Sequence, residues 1–287
     1  MPFPRPTLAL VDNGSLEPAA TLSLRRIAAC LSAEIGAPVE PVSLLHSDKV
    51  PAAELAGTPA TTFEPWLKRC VAEGERDFGV LPLFFGPSGA ITDYLPVRVE
   101  AVRASVPDLR LRVAPPLADA EGQGEDRIAA MLLDRVMETL ARTDASPASP
   151  GSEYRPALIL VDHGSPKPEL GALRERLASR LRTSLGDRVR AVCAASMERR
   201  DGAAYDFNEP LLERAFKLPG FDGGDVIVSL LFLSPGRHAG PGGDIARICE
   251  AAAARHPGLR PHMARPLGDH PGLVPLLALR ARTLVAG

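Results

Sequence analysis

The chain has 287 residues, of which 45% are hydrophobic and 24% are charged, and its formal net charge is −2. This length suggests about two domains, and the composition is that of a globular protein. Because no dense basic run is present, the charge argues against a general nucleic-acid binder or anionic-membrane binder.

Predicted strands and helices alternate along the whole chain. Short apolar runs that end in polar turns are typical of buried parallel strands, and apolar residues at helical spacing predict the helices between them. The predicted strands lie at 8–12, 39–45, 79–85, 113–119, 158–162, 189–195, 225–233 and 263–269. The first predicted helix of each half ends at Gly36 or Gly186, the second opens at Glu64-Pro65 or Glu209-Pro210, and the last covers 127–140 or 273–284.

The second half of the chain repeats the first. Residues 7–19 (TLALVDNGSLEPA) correspond to 157–169 (ALILVDHGSPKPE), and residues 80–95 correspond to 228–245. Strands that alternate with helices imply a parallel sheet with helices on both faces. The sequence therefore predicts an α/β protein with two similar Rossmann-like lobes, each a parallel sheet flanked by helices.

A polar segment rich in Ser and Pro divides the two halves. Residues 143–154 show no periodicity and are interpreted as a linker. We therefore expect an N-terminal lobe at 1–142 and a C-terminal lobe at 155–287. The four cysteines have no Cys-x-x-Cys spacing, which argues against an iron–sulfur or structural zinc site.

The amino terminus has no basic segment followed by a long apolar stretch, and no apolar run approaches the roughly 18 residues of a membrane span. We expect a cytoplasmic protein with no membrane or nucleic-acid partner. Because both lobes are on one chain, we also expect a monomer.

Two histidines distinguish the second half from the first. His163 stands where the first half has Asn13, and His238 stands where it has Ala90. Both follow predicted strands, whose carboxyl ends form the edge at which ligands of open α/β sheets bind. Two imidazoles at one edge can ligate a divalent metal or move protons near neutral pH. From these residues alone, two hydrogen-bonded loop histidines are the alternative.

The remaining histidines are weaker candidates. His270 follows a predicted strand at the same edge, which makes a minor role at the site an option. His46, His256 and His262 are expected to be solvated. Asp12 and Asp162 end the first strand of each half and are interpreted as turn-formers through local hydrogen bonds.

The segments HGSPKPE at His163 and LSPGRHAGPGGDI at His238 resemble those of the class II tetrapyrrole chelatases of the CbiX and SirB type. The tail PLGDHP at 266–271 resembles that family's closing strand and helix. The resemblance covers the second half and, more faintly, the first. It implies a long-form, chelatase-like fold with two homologous lobes and insertion of cobalt or ferrous iron into sirohydrochlorin, for cobalamin or siroheme biosynthesis. The metal is then a substrate, and no tightly bound cofactor is expected.

The resemblance also implies roles for individual residues. His163 and His238 match the family's metal-handling histidines, and Glu198 falls near a position where such proteins often carry an acidic residue that accepts or relays protons. A solvated loop acid is the alternative for Glu198. Family members usually have Arg after His-Gly-Ser, whereas this chain has Pro166, and its loop after His238 is longer and rich in glycine. These departures bear on substrate choice.

Sirohydrochlorin carries several carboxylates, so its rim requires hydrogen-bond donors. The predicted substrate-binding residues are Gly164, Ser165, Arg237, Gly242 and Gly243. They offer a guanidinium and backbone N–H groups near helix N-termini. The alternative for the glycines is a plain loop that needs unusual φ angles. In the first half, Asn13, Ser15 and Ser88 are limited to hydrogen bonds with the ring or to shaping the cleft.

Three other functions compete with this one. A non-catalytic metal-binding or tetrapyrrole-binding carrier derived from a chelatase is favoured by Pro166 and by the insertion-like residues 199–208. A hydrolase based on Ser165 or Ser234 is disfavoured, because Asp-His-Gly-Ser lacks the strand–elbow–helix spacing of Gly-x-Ser-x-Gly. A chelatase for another tetrapyrrole, such as protoporphyrin, stays open. The sequence does not select among cobalt, iron and nickel, because imidazole ligates all three.

Overall fold

The computed structural model describes residues 6–119, 123–144 and 155–285. In chain order the elements are β1 (Thr7–Asp12), α1 (Pro18–Ile35), β2 (Val39–Ser43), α2 (Phe63–Ala72), β3 (Asp77–Pro82), α3 (Leu95–Arg103), β4 (Arg110–Val113), α4 (Glu125–Asp144), β5 (Ala157–Asp162), α5 (Pro168–Leu185), β6 (Ala191–Ser196), α6 (Leu212–Ala215), β7 (Gly224–Leu230), α7 (Asp244–Arg255), β8 (Leu259–Met263) and α8 (Leu273–Val285). Short 3₁₀ or π turns lie at Ser47–Lys49, Ala52–Leu55, Ala90–Tyr94, Gly186–Arg188 and Ala203–Asn208.

The strands form two parallel sheets of four strands each. Their orders are β2-β1-β3-β4 and β6-β5-β7-β8, so the two halves share one topology. In each sheet the strand order reverses between the first and third strands, which is where α/β sheets bind ligands. The predicted α/β fold, with two lobes that each carry a parallel sheet flanked by helices, is confirmed.

Local sequence explains the central elements. All six residues of β5 are buried, as its apolar run requires for a strand covered on both faces. Helix α1 begins with Pro18, whose missing N–H is not needed in the first turn. It ends at Gly36, which adopts the left-handed conformation with φ 63°. The predicted helix end at Gly36 is therefore confirmed, and α5 likewise stops at Gly186.

Three predicted elements differ from the structure. Pro210 does not open a helix. Its carbonyl accepts a hydrogen bond from Ser196 N at 3.1 Å, the chain stays extended beside β6, and only the four residues of α6 follow. The Glu209–Pro210 peptide is cis. The fourth strands end at Val113 and Met263, before most of the predicted segments, because the prolines that follow have no N–H for the ladder.

The last helix of each half is exchanged between the sheets. The chain divides into one compact unit that runs to Gly124 and resumes at Pro271, and a second unit at Glu125–His270. Helix α4 follows β4 in sequence but packs against α5 and β7, whereas α8 follows β8 and packs against α1 and β3. The compact units therefore differ from the predicted lobes at 1–142 and 155–287 in the place of these two helices.

A buried arginine fixes each exchanged helix. Arg135 of α4 donates to Asp269 in the second unit, and Arg280 of α8 donates to Asp119 in the first unit at 2.8 Å. Both guanidinium groups are almost fully buried. Of the predicted linker at 143–154, only the first two residues are described, and they end α4. None of the helices that the structure describes combines the length and apolar character of a membrane span.

Candidate active site

The two histidines distinguished by the sequence lie side by side in the second unit. His163 follows β5 and His238 lies in the loop after β7, and these strands are neighbours at the point where the strand order reverses. The ring centroids are 4.7 Å apart and the rings meet edge to face at 74°. The fold therefore brings both imidazoles to one edge of the sheet.

A tight turn holds the backbone of His163. Asp162 Oδ1 accepts a hydrogen bond from Gly164 N at 3.0 Å, which confirms Asp162 as a turn-former. Gly164 has φ +93°, and a Cβ at this position would lie 1.9 Å from the carbonyl oxygen of Glu198. Only glycine combines this conformation with so close an approach. The turn thereby fixes the backbone of Glu198 beside that of His163.

Glu198 is the third predicted site residue that the structure brings to this place. Its Oε1 lies 3.5 Å from His163 Nε2, and 61% of its side chain is exposed. Its backbone N donates to His163 O at 3.1 Å, as Leu45 N donates to Asn13 O in the first unit. These matching bonds identify Leu45 as the counterpart of Glu198. The first unit thus has Asn, Leu and Ala where the second has His, Glu and His.

The imidazole of His238 is oriented by a carboxylate. Its Nδ1 lies 2.7 Å from Asp244 Oδ2, and because a carboxylate only accepts, Nδ1 donates and the neutral ring has its lone pair on Nε2. The hydrogen bond from His238, helped by the charges of Arg237 and Arg247 and opposed by slight burial, holds the pKa of Asp244 below its usual value. Sequence reasoning missed this role of Asp244.

The imidazole of His163 is oriented in a related way. Its Nδ1 lies 3.2 Å from the carbonyl oxygen of Gly164, which also only accepts, so the neutral ring donates from Nδ1 and has its lone pair on Nε2, 3.5 Å from Glu198 Oε1. A histidine that ligates a metal usually donates its other ring N–H to a carboxylate or carbonyl. Both imidazoles of the pair therefore present Nε2 as a ligand atom.

The metal-binding capacity of this pair is partial. Within residues 6–119, 123–144 and 155–285, no three His, Cys, Asp or Glu side chains are arranged to hold a metal ion. Two imidazole nitrogens fill only part of the coordination shell of a divalent ion, whereas structural sites supply four protein ligands. The arrangement is suited to an ion that is held loosely and with open positions.

Several backbone donors predicted to bind substrate already have partners. Gly164 N donates to Asp162, Ser165 N donates to the side chain of Asn208 at 3.0 Å, and Gly243 N donates to Gly240 O at 3.0 Å. These N–H groups are occupied within the protein, so the predicted contacts through them require the turns to open.

Arg237 and Gly242 differ from those residues. Arg237 exposes 74% of its side chain, and its Nε lies 3.7 Å from Asp244. Gly242 has φ +67°, and open space surrounds the position of its absent Cβ. The positive φ of Gly242 fits the alternative interpretation, in which the glycine serves the shape of the loop and does not bind substrate. The guanidinium of Arg237, by contrast, is accessible to a carboxylate.

Sequence reasoning also missed Arg174, Asn208 and Arg200, of which the first two contact the turn at His163 or its partners. Asn208 is fully buried, and so is the charged side chain of Arg174. The signal was its position four residues after Leu170 and three before Leu177, on the apolar face. Arg200, two residues after Glu198, is exposed, and its guanidinium carbon lies 5.9 Å from the ring centroid of Tyr205.

The other histidines lie outside this group. His270 is buried and lies 3.4 Å from Asp134; burial, followed by the charge of Arg135, lowers its pKa. His262 is not simply solvated, because its Nε2 lies 2.6 Å from the buried Asp225, so that expectation is wrong. His46 is exposed and His256 is half-exposed.

Comparison with known proteins gives a family and a fold. The sequence profile of the CbiX family matches residues 7–139 and 157–284. No curated protein matches the chain significantly. SirB from Bacillus subtilis with Fe³⁺ is similar in structure at a TM-score of 0.66 and 18% identity, over 99% of this chain and 96% of that one. The sirohydrochlorin chelatase SirB from Bacillus subtilis subspecies spizizenii in complex with cobalt has a TM-score of 0.65 at 16% identity, over the same shares.

A third similar structure is DR2241 from Deinococcus radiodurans, a multi-domain protein described as similar in structure to chelatases. Its TM-score is 0.55 at 16% identity, over 96% of this chain and 54% of that one. At these identities the three structures share the fold with this chain.

Proposed function

Because the chain belongs to the CbiX family, we propose that it is a sirohydrochlorin chelatase that inserts a divalent metal, cobalt or ferrous iron, into the tetrapyrrole. The observation that carries the proposal is the adjacent pair His163 and His238, 4.7 Å apart between ring centroids, at the strand edge of the second unit. The similar SirB structures, with Fe³⁺ in one and cobalt in the other, support metal transfer as the chemistry.

Metal insertion replaces two pyrrole N–H protons of the macrocycle with one divalent ion. In the proposed reaction the ion is first held by Nε2 of His163 and Nε2 of His238. When the ion passes to the ring, each nitrogen regains a lone pair and accepts one pyrrole proton. Two protons then replace one divalent ion, so the charge of the histidine pair is +2 before and after transfer.

Each imidazole has a carboxylate beside it that stabilises its protonated form. Glu198 Oε1 lies 3.5 Å from His163 Nε2, and Asp244 Oδ2 lies 2.7 Å from His238 Nδ1. An opposite charge within about 4–6 Å favours the charged form of an ionisable group. The exposed Glu198 then passes the proton of His163 to solvent, and Asp244 keeps the His238 ring in its orientation.

The incomplete ligand set supports transfer over storage. A closed site of four protein ligands holds its metal tightly, whereas two imidazoles leave positions for water and for pyrrole nitrogens. The exposed guanidinium of Arg237 and that of Arg200 are the groups we assign to the carboxylates on the rim of the substrate. The first unit has Asn13, Leu45 and Ala90 in place of His163, Glu198 and His238, so one ion is processed per chain.

The test is anaerobic turnover of sirohydrochlorin with Co²⁺ or Fe²⁺, followed by absorbance, in the wild type and in His163→Ala and His238→Ala. We expect the wild type to insert metal faster than the protein-free reaction and both variants to fall to that background. His256→Ala is the matched control, because this histidine lies at the end of α7 and is half-exposed. It should retain wild-type turnover.

Two outcomes contradict the proposal. Acceleration that survives in both histidine variants would assign the chemistry to other residues. Binding of Co²⁺ or of the ring without acceleration would instead favour a carrier derived from a chelatase.

A further inference from the structure

We propose that Arg174 and Asn208 are positioning residues that hold the imidazole of His163 in the orientation needed for metal transfer. Both side chains are fully buried directly beneath the His163 turn. The purpose assigned to this orientation rests on the proposed function. The orientation itself is a property of the ring that can be measured without turnover.

The orientation of His163 depends on two peptide groups that meet at Gly164. The peptide between His163 and Gly164 is held on both sides, since its N–H donates to Asp162 and its carbonyl accepts from Glu198 N. The next peptide, between Gly164 and Ser165, carries the carbonyl that accepts from His163 Nδ1. Fixing this second peptide therefore fixes the partner of the ring.

Asn208 holds that second peptide. Its Oδ1 accepts from Ser165 N at 3.0 Å, and its Nδ2 donates to Ser165 O at 2.9 Å. Because a peptide group is planar, fixing the direction of Ser165 N–H also fixes the direction of Gly164 C=O. Asn208 thereby sets the position of the acceptor for His163 Nδ1, and so the direction in which the ring presents Nε2.

Arg174 ties this peptide clamp to the strand edge. Its Nη2 donates to Phe207 O at 2.9 Å, which holds the backbone next to Asn208. Its Nη1 donates to Ser196 Oγ and lies 3.4 Å from Asp162 Oδ1. Ser196 Oγ in turn donates to Asp162 Oδ1 at 2.7 Å. One guanidinium therefore connects the groups that hold both peptides at Gly164.

The first unit shows that the turn itself does not require these residues. It forms the same turn, in which Gly14 N donates to Asp12 Oδ1 at 3.0 Å. In α1, which like α5 begins with a proline, Leu24 occupies the place of Arg174. The matching bonds of Ser43 N to Thr61 O and Ser196 N to Pro210 O place Pro59 opposite Asn208.

At these two matched positions the buried polar pair is present in the unit that carries the histidines and is replaced by Leu24 and Pro59 in the other. A buried ion pair adds little net stability over apolar residues of similar volume, and Leu24 shows that an apolar residue folds in this place. In the first unit the half-buried Arg25 donates to Thr58 O, the counterpart of Phe207 O, so holding this backbone does not require a buried arginine. Positioning of the neighbouring imidazole gives a reason for Arg174.

The test compares Arg174→Leu and Asn208→Ala with Arg135→Leu. Arg135 is a second buried arginine of the same unit, but it pairs with Asp269 and does not contact the His163 turn. The first readout is the ¹H–¹⁵N spectrum of the imidazole side chains, which reports the tautomer of His163. The second is the Kd of Co²⁺ alone, measured by calorimetry.

We expect Arg174→Leu and Asn208→Ala to shift His163 from the Nδ1–H tautomer to a mixture and to weaken Co²⁺ binding by about 10-fold or more, the usual effect of losing an outer partner of a ligand. Loss of a cation would by charge alone tighten Co²⁺ binding, so weaker binding at Arg174→Leu reports geometry. Arg174→Lys should recover much of the affinity. Arg135→Leu should lower stability but keep the wild-type tautomer and Kd within about twofold.

Wild-type tautomer and Kd in both Arg174→Leu and Asn208→Ala would overturn the proposal, and so would equal losses in Arg135→Leu. If Arg174→Leu does not fold, Asn208→Ala decides by the same criteria. A protein with the expected tautomer shifts but no acceleration of metal insertion would leave the positioning role standing and refute the proposed function instead.

Discussion

Asp12→Asn in the first unit should stabilise the protein, and the gain should depend on pH. Burial, only partly offset by hydrogen bonds from Ser43 and from Gly14 N–H, raises the pKa of Asp12 from 3.8 to about 6. Its counterpart Asp162 has Arg174 nearby, but Asp12 has Leu24 in that place. Asp12 is therefore a carboxylate whose ionisation opposes folding.

The magnitude follows from the difference between the two pKa values. A pKa raised in the folded state means that folding is favoured while the group is protonated, so stability is fully present below pH 3.8 and is lost as pH rises through about 6. The folded-state pKa of about 6 exceeds the unfolded value of 3.8 by about 2.2. At 1.36 kcal/mol for each pKa unit, ionised Asp12 therefore lowers the free energy of unfolding by about 3 kcal/mol at neutral pH. Asp12 is only partly buried, so this is an upper value.

The assay is urea unfolding followed by the fluorescence of Trp66, the single tryptophan of the chain, which is fully buried in the same unit as Asp12. The variant keeps an Oδ1 that accepts from Gly14 N. Its free energy of unfolding should equal that of the wild type near pH 4 and exceed it increasingly up to pH 7, by about 2–3 kcal/mol.

The matched control is Asp162→Asn in the second unit. This change removes the buried carboxylate beside the fully buried guanidinium of Arg174 and leaves it only the exposed Glu175, so it should destabilise the protein at pH 7. A stability gain from Asp12→Asn that does not change between pH 4 and pH 7, or a loss at pH 7, would refute the reasoning.

Three further predictions concern the turn, the exchanged helix and the His238 carboxylate. Gly164→Ala and Gly220→Ala both place alanine at a positive φ, +93° and +86°, but only the Cβ at position 164 meets a carbonyl oxygen, at 1.9 Å. In urea unfolding, Gly220→Ala should lower the free energy of unfolding by about 1–2 kcal/mol, and Gly164→Ala by about 1–3 kcal/mol more. Arg280→Leu leaves the buried Asp119 unpaired and should lower the free energy of unfolding of the first unit by about 3–5 kcal/mol, with part of the loss restored by a second change, Asp119→Leu. Asp244→Asn removes the carboxylate 2.7 Å from His238 Nδ1 and should weaken Co²⁺ binding about 10–100-fold by calorimetry, whereas unchanged affinity would exclude its orienting role.

Local patterns predicted most of the fold. The buried run of β5 and the glycine at the end of α1 act within a few residues of the chain, so the alternation of strands and helices was visible without any tertiary contact. The repeat showed that only one half carries His163 and His238. The strand-end rule then placed both at one edge, where the structure has them 4.7 Å apart between ring centroids.

Contacts between residues distant in sequence decided the rest. Helical periodicity shows that α4 and α8 have an apolar face but not which sheet that face covers, and the buried pairs Arg135–Asp269 and Arg280–Asp119 become visible only in the fold. Glu198 could be aligned with Leu45 only through matching backbone hydrogen bonds.

The sequence by itself determined which segments are helices and which are strands, the internal repeat, and the position of His163 and His238 after strands. These features follow from the spacing of side chains along one segment. Only the tertiary structure decided the partners of the charged groups: Asp244 for His238, and Asp162 with Ser196 for Arg174. The physical reason is that a charge is accepted in the interior only where a second segment supplies its hydrogen bonds, and spacing within one segment does not identify that second segment.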